Sequence, residues 1–141
     1  RVEEATVQHG SESENELLFL RTRWAKLQQE LADVERRTLD AGEAGRSSTL
    51  LEARRRHLQR EQAIIDELFD ETARASLEQA IGYRLKRLQR DLFRSGRGGG
   101  RRYYDQGYWD READREILNG LLQDWQAWRR SLHGNAAQGS P

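Results

Sequence analysis

Large apolar residues recur at steps of three and four in two separate parts of the chain. The first run contains Leu17, Leu20, Trp24, Leu27, Leu31, Val34 and Thr38. The second run contains Leu118, Leu121, Trp125, Trp128 and Leu132. This spacing places the side chains along one narrow side of an α-helix, where they can pack against a second helix. The pattern therefore predicts helices that contact other helices.

The middle of the chain is predicted to form one long helix over about residues 47–95. This segment contains no proline and a single glycine. Its apolar stripe moves to another side of the helix after Thr72, which rotates the predicted buried face. A break near residues 70–76 is the alternative, because Asp70 or Ser76 could cap a new helix start. Ser76, followed three residues later by Gln79, also has the spacing of a capping box.

One helical domain is predicted for residues 15–133, between a disordered acidic tail at residues 1–14 and a flexible tail at residues 134–141. Its helices are predicted at about residues 15–40, 47–95 and 110–133. Gly42 is expected to end the first helix, since glycine is the usual C-terminal cap. Asp110 is expected to cap the start of the last helix.

The helix lengths predict an all-α protein made of extended, coiled-coil-like antiparallel hairpins. The first and last helices together match the central helix in length, so each can fold back along one half of it. Such a rod is two helices thick and buries little apolar surface, which favours self-association or a partner helix. A break in the central helix would instead give a four-helix bundle.

A three-helix bundle is a third arrangement that fits the apolar pattern. Trp24 in the first helix and the Leu-x-x-x-Trp sequence ending at Trp125 resemble hydrophobic positions of spectrin repeats. The glycine-rich linker after residue 95 departs from that family's pattern. So few matching positions do not identify a family.

Composition narrows the class of protein. Charged residues make up 34% of the chain and hydrophobic residues 35%, a balance that suits solvated helices. The net charge is zero, so no overall field steers the chain toward nucleic acid or a membrane. The chain has no cysteine and no apolar run of about 18 residues, so neither disulfides nor a transmembrane segment is predicted. We expect a soluble protein with no targeting segment in the present chain and an unknown compartment.

The strongest local signal is a basic segment that leads into glycine and tyrosine residues. Its basic residues are Arg84, Lys86, Arg87, Arg90, Arg94, Arg97, Arg101 and Arg102. Arginine neutralises phosphate groups and tyrosine stacks on bases, so these residues are candidates for nucleic-acid binding. A structural interpretation is preferred, because cations near a helix C-terminus complement the helix dipole.

Six aromatic residues are candidates for contact with a protein partner. They are Tyr103, Tyr104, Tyr108, Trp109, Trp125 and Trp128. Trp125 and Trp128 lie on the last apolar stripe, where large rings serve as core or interface anchors. Trp109 lies outside the stripes, so it is expected either to cover the end of the bundle or to contact a partner.

No catalytic, metal-binding or cofactor-binding site is predicted. None of the three histidines has the spacing of a helical metal site, and no glycine-rich loop has the context of a P-loop. We expect a non-enzymatic structural or adaptor subunit that serves as a scaffold. It would bind a protein partner or itself through helix–helix contacts. The resulting assembly would be a homo-oligomer or a larger complex. A small helical nucleic-acid-binding subunit is the alternative.

Overall fold

Four helices make up the part of the chain that the computed structural model describes. That part comprises the backbone of residues 2–97 and 106–138 and the side chains of residues 12–92 and 106–133. The helices are α1 (Val2–Glu43), α2 (Thr49–Glu71), α3 (Leu77–Arg97) and α4 (Gln106–Gln138). These ranges contain no strand, which confirms the all-α class. The predicted count of three helices is wrong there, because the central segment forms two.

The chain divides into two compact units, Arg1–Ala73 and Arg74–Pro141. In the first unit α1 packs against α2, and in the second α3 packs against α4. We name these helix pairs hairpin 1 and hairpin 2. Each is a pair of consecutive helices, the smallest way in which two amphipathic helices can shield their apolar sides from water.

Polar contacts between α1 and α2 show that these helices run antiparallel. Gln62 Nε2 donates a hydrogen bond to Gln28 Oε1 at 2.9 Å, and Arg54 Nη2 donates one to Glu30 Oε2 at 3.2 Å. The later residue of α1 thus contacts the earlier residue of α2, as expected for an antiparallel pair.

The first predicted stripe forms the core side of α1. The buried hydrophobic residues of α1 are Phe19, Leu20, Leu27, Leu31 and Val34. Those of α2 are Leu58, Ile64, Ile65 and Leu68. Trp24 is half-buried, and its indole Nε1 is enclosed without a hydrogen-bond partner. Burial of each large aliphatic side chain contributes roughly 1.5–3 kcal/mol, so this seam holds hairpin 1 together.

The turn between α1 and α2 is a Schellman motif built on Gly45. Gly45 has a φ of 68°, a left-handed conformation that glycine adopts without steric cost. Its N–H donates to the Gly42 carbonyl at 3.2 Å, and the Arg46 N–H donates to the Ala41 carbonyl at 2.7 Å. The prediction that Gly42 caps α1 is therefore wrong, because Gly42 is still helical.

The continuous helix predicted for residues 47–95 is interrupted between Glu71 and Leu77, so the alternative of a break is correct. Ser76 supplies the local cause. Its Oγ accepts a hydrogen bond from the Gln79 N–H at 3.1 Å, while Gln79 Oε1 accepts one from the Ser76 N–H at 3.2 Å. This reciprocal capping box starts a new helix.

The second predicted stripe forms the core side of α4 in hairpin 2. Its buried hydrophobic residues are Leu77, Ala80, Ile81 and Leu92 of α3 and Ile117, Leu118, Leu121 and Trp125 of α4. Glu78 Oε2 lies 3.8 Å from Arg129 Nη1, and Glu78 Oε1 accepts a hydrogen bond from Gln126 Nε2 at 3.3 Å. The start of α3 thus lies beside the C-terminal half of α4, as in an antiparallel pair.

Two helices begin earlier than predicted. α1 includes the backbone of residues 2–14, which were predicted to form a disordered tail. α4 includes Asp110, which accepts a hydrogen bond from Gln106 Nε2 at 2.9 Å and does not cap the helix. The side chain that was expected to start α4 therefore lies inside it.

α4 also extends beyond its predicted end near residue 133. It continues through Gly134 to Gln138, within the segment that was predicted to be a tail. Two alanines follow Gly134 closely, and alanine is the strongest helix former, which offsets the cost of one glycine. Residues 139–141 lie outside the described residues.

Candidate interaction surface

α3 has an apolar side and a cationic side. The apolar side faces the core of hairpin 2 through Leu77, Ile81 and Leu92. The exposed residues opposite to it include Tyr83, Lys86, Arg87 and Arg90. At 3.6 residues per turn these four residues fall within an arc of about 100°, in which α3 has no acidic residue. We name these four residues the cationic face.

The side chains of the cationic face are open to solvent. Lys86, Arg87 and Arg90 are exposed and form no ion pair with any residue in the described ranges. Tyr83 is 63% exposed, so most of its side chain is accessible to a partner. Arg84, also a predicted site residue, is half-buried at the edge of the core and lies outside this face.

Tyr83 was not among the predicted site residues. Its position four residues before Arg87 and seven before Arg90 places it on the same side of the helix. The spacing was present in the sequence and could have revealed it. Six of the predicted site residues have no described side chains: Arg94 and Arg97 within α3, and Arg101, Arg102, Tyr103 and Tyr104 outside the described residues.

Tyr108 and Trp109 form an aromatic pair in the first turn of α4. Their ring centroids lie 5.3 Å apart and the ring planes meet at 84°, an edge-to-face contact. Tyr108 is half-buried and Trp109 is 53% exposed. About half of the indole surface is therefore accessible to a partner, while the tyrosine supports it from one side.

Trp125 and Trp128 form a second aromatic pair, with ring centroids 5.8 Å apart and an interplanar angle of 60°. Trp125 is only 2% exposed and belongs to the core of hairpin 2. Trp128 is half-buried. Of these two predicted partner-contacting residues, the structure leaves only Trp128 with accessible surface.

The net charge of zero is a cancellation between the two units. Residues 1–73 contain 16 acidic and 11 basic residues, a net charge of −5. Residues 74–141 contain 8 acidic and 13 basic residues, a net charge of +5. The whole-chain value therefore conceals a negative unit and a positive one, each with its own field.

Exposed carboxylates lie near the C-terminus of α2 in hairpin 1. Asp66 and Asp70 are exposed on α2 one helical turn apart. Each lies two residues after a buried residue, Ile64 or Leu68, and so on the side of α2 that faces away from the core. We name Asp66 and Asp70 the acidic end.

The acidic end opposes the local electrostatics of α2. A helix C-terminus carries a partial negative charge, so carboxylates close to it are unfavourable. Like charges four residues apart, as in Asp66 and Asp70, also repel. α2 has no basic residue in its last turn to relieve this repulsion. A cation placed beside the acidic end would therefore stabilise it.

One cavity between α1 and α2 is lined largely by residues that pair with one another across the hairpin. It has a volume of about 160 Å³ and lies beside two ion pairs that cross the hairpin. Arg23 contacts Glu61 at 3.4 Å, and Arg54 contacts Glu30 at 3.2 Å. His57 also lines the cavity. Because these pairs join α1 to α2, we assign them a structural role.

Metal sites, membrane-spanning helices and similarity to known proteins do not indicate a function for the described residues. In the parts of the chain that the structure describes, no group of three His, Asp or Glu side chains is arranged to hold a metal ion. No helix there has an apolar stretch long enough to cross a membrane. No family model matches the chain, and comparisons with curated proteins and with solved structures give no match. Function is therefore inferred from the exposed surfaces.

Proposed function

We propose that the chain is a non-enzymatic structural or adaptor subunit that binds a partner protein through an exposed helix face. The cationic face of α3 is the observation that carries the proposal. Tyrosine and arginine are enriched among the residues that dominate binding energies at protein interfaces. Here Tyr83, Arg87 and Arg90 lie together on one exposed side of a helix. A partner helix with acidic side chains fits this surface.

The cationic face is supported by a fixed core. Leu77 and Ile81 on the opposite side of α3 are fully buried, and Leu92 is buried on that side near the other end of the face. A binding surface on a packed helix loses less conformational entropy on association than one on a loop. The exposed side chains must still order, but the backbone that presents them is already in place.

Nucleic-acid binding is the second candidate and uses the same face. Lys86, Arg87 and Arg90 have no ion-pair partner among the described residues, so they are available to phosphate groups. Binding of this kind weakens steeply with salt, because each neutralised phosphate releases condensed counterions. Salt dependence and the choice of probe therefore separate the two candidates.

The test compares two labelled probes on the full chain by fluorescence anisotropy. One probe is a synthetic Glu-rich amphipathic helical peptide, and the other is a single-stranded RNA oligonucleotide. The test variant is Arg87→Ser with Arg90→Ser. Its control is Arg55→Ser with Arg56→Ser, because these two arginines are exposed on α2 and the same charge is removed.

We expect the peptide to bind the unmodified chain and the control with equal affinity. The test variant should bind it roughly tenfold more weakly, a loss of about 1.4 kcal/mol. Tighter binding of RNA than of peptide, with a steep salt slope, would replace the adaptor role by nucleic-acid binding. Equal losses in both variants, or no binding of either probe, would refute the cationic face as a binding site.

A further inference from the structure

We infer that the partner of the cationic face is the acidic end of a second copy of this chain. This inference rests on the proposed function and names its partner. Lys86, Arg87 and Arg90 of one copy would lie against Asp66 and Asp70 of the other. Each surface is exposed, and each belongs to a different compact unit.

Charge complementarity is the first argument for a second copy. The unit that contains the cationic face has a net charge of +5, and the unit that contains the acidic end has a net charge of −5. Complementary potentials steer association and suppress partners of the wrong charge. The chain therefore carries both halves of a matched pair.

The second argument is the electrostatic cost of the acidic end. Asp66 and Asp70 form no ion pair in the described ranges, they repel each other, and they lie toward the negative end of α2. Natural sequences break such local preferences mainly where function compensates for them. Three cations from a second copy would supply that compensation.

Both surfaces are present on every chain. A contact between two different surfaces of two copies either repeats from copy to copy or closes on itself. The inferred assembly is the closed two-fold dimer, which contains each contact twice and has a fixed mass. Ion pairs of this kind on exposed helices are individually weak, so the dimer should be salt-sensitive.

The test uses two full-length charge-reversal variants. The face variant is Arg87→Glu with Arg90→Glu, and the end variant is Asp66→Arg with Asp70→Arg. Either variant alone brings like charges together at both contacts, so each should sediment as a single chain at low salt. An equimolar mixture restores opposite charges at both contacts, so sedimentation velocity should show a dimer only in the mixture.

The control variant is Arg55→Glu with Arg56→Glu, which changes the charge as the face variant does on another helix. It should associate like the unmodified chain. Far-UV circular dichroism must show unchanged helicity in all variants. If a reversal lowers helicity, the neutral pairs Arg87→Gln with Arg90→Gln and Asp66→Asn with Asp70→Asn replace them, and each should weaken dimerisation at least tenfold.

Several outcomes would overturn the inference. They are a single-chain mass for the unmodified protein at low salt, a mixture that stays monomeric, or a control that dissociates as the face variant does. If the unmodified chain is monomeric while the Glu-rich peptide still binds the cationic face, the second copy is not the partner and the proposed function stands. If the peptide also fails to bind, the proposed function is refuted as well.

Discussion

Hairpin 1 and hairpin 2 are the same kind of helix pair, but they present opposite charges to solvent. α2 ends in Asp70 and Glu71, at the C-terminus where carboxylates are unfavourable. The exposed side of α3 instead carries Lys86, Arg87 and Arg90. The acidic end of α2 therefore has no explanation within its own helix, and its charge is opposite to that of the cationic face.

Packing explains the helix pairs but not the charges on their surfaces. Each hairpin is held by an apolar seam, which includes Leu27 and Leu31 in hairpin 1 and Leu118 and Leu121 in hairpin 2. The seams account for the helices and for their pairing. They do not account for opposite net charges on the two units. We therefore assign the exposed charges to interaction with a partner and the apolar seams to the stability of the two hairpins.

The largest expected effect compares a buried tryptophan with an exposed one in hairpin 2. Trp125→Ala should destabilise the chain by roughly 3–5 kcal/mol, because it leaves a large cavity in the core. Trp109→Ala should cost less than about 1 kcal/mol, since its indole is 53% exposed. Denaturant titration measures both. Similar losses for the two variants would contradict the assignment of Trp125 to the core and Trp109 to the surface.

A smaller effect tests the turn that closes hairpin 1. Gly45→Ala should destabilise by about 1–2 kcal/mol, because its φ of 68° is unfavourable for a residue with a Cβ atom. Gly42→Ala is the matched control and should stabilise by up to about 1 kcal/mol, since Gly42 is helical. Both positions have open space for the added methyl group. Thermal melts with the opposite order would restore Gly42 as the cap.

The smallest effect tests the charges at the two ends of α2. Asp70→Asn should stabilise by about 0.3–1 kcal/mol, because it removes a carboxylate from the C-terminal end. Glu52→Gln makes the same charge change in the first turn, where the carboxylate is favourable, so it should destabilise by a similar amount. Thermal melts at low salt, in protein dilute enough to be monomeric, show whether each substitution raises or lowers the free energy of unfolding. The same sign for both would show that the helix dipole does not explain the cost of the acidic end.

Local signals in the sequence predicted much of the fold. The steps of three and four identified both core stripes, because helical periodicity is a property of neighbouring residues. The spacing of Ser76 and Gln79 identified the break between α2 and α3, although one long helix was preferred. The sequence cannot distinguish Gly42 from Gly45 as the cap, because both glycines follow the same stripe and only the backbone conformation separates them.

The candidate surface was only partly predictable. The basic residues were identified from composition, and Tyr83 was missed although its spacing places it beside Arg87 and Arg90. That these cations are exposed and lack ion pairs in the described ranges depends on how α3 packs in hairpin 2. The opposite charges of the two units required the boundary after Ala73, which a whole-chain net charge cannot show.

The most direct test of the central claim is the mass of the unmodified chain as a function of salt. Sedimentation equilibrium would be measured in about 0.01 M and about 1 M sodium chloride, where charges are screened over roughly 30 Å and 3 Å. If the cationic face binds the acidic end of a second copy, the mass should be that of a dimer at low salt and of a single chain at high salt. A single-chain mass at both salt concentrations, or a dimer that high salt leaves intact, would contradict it.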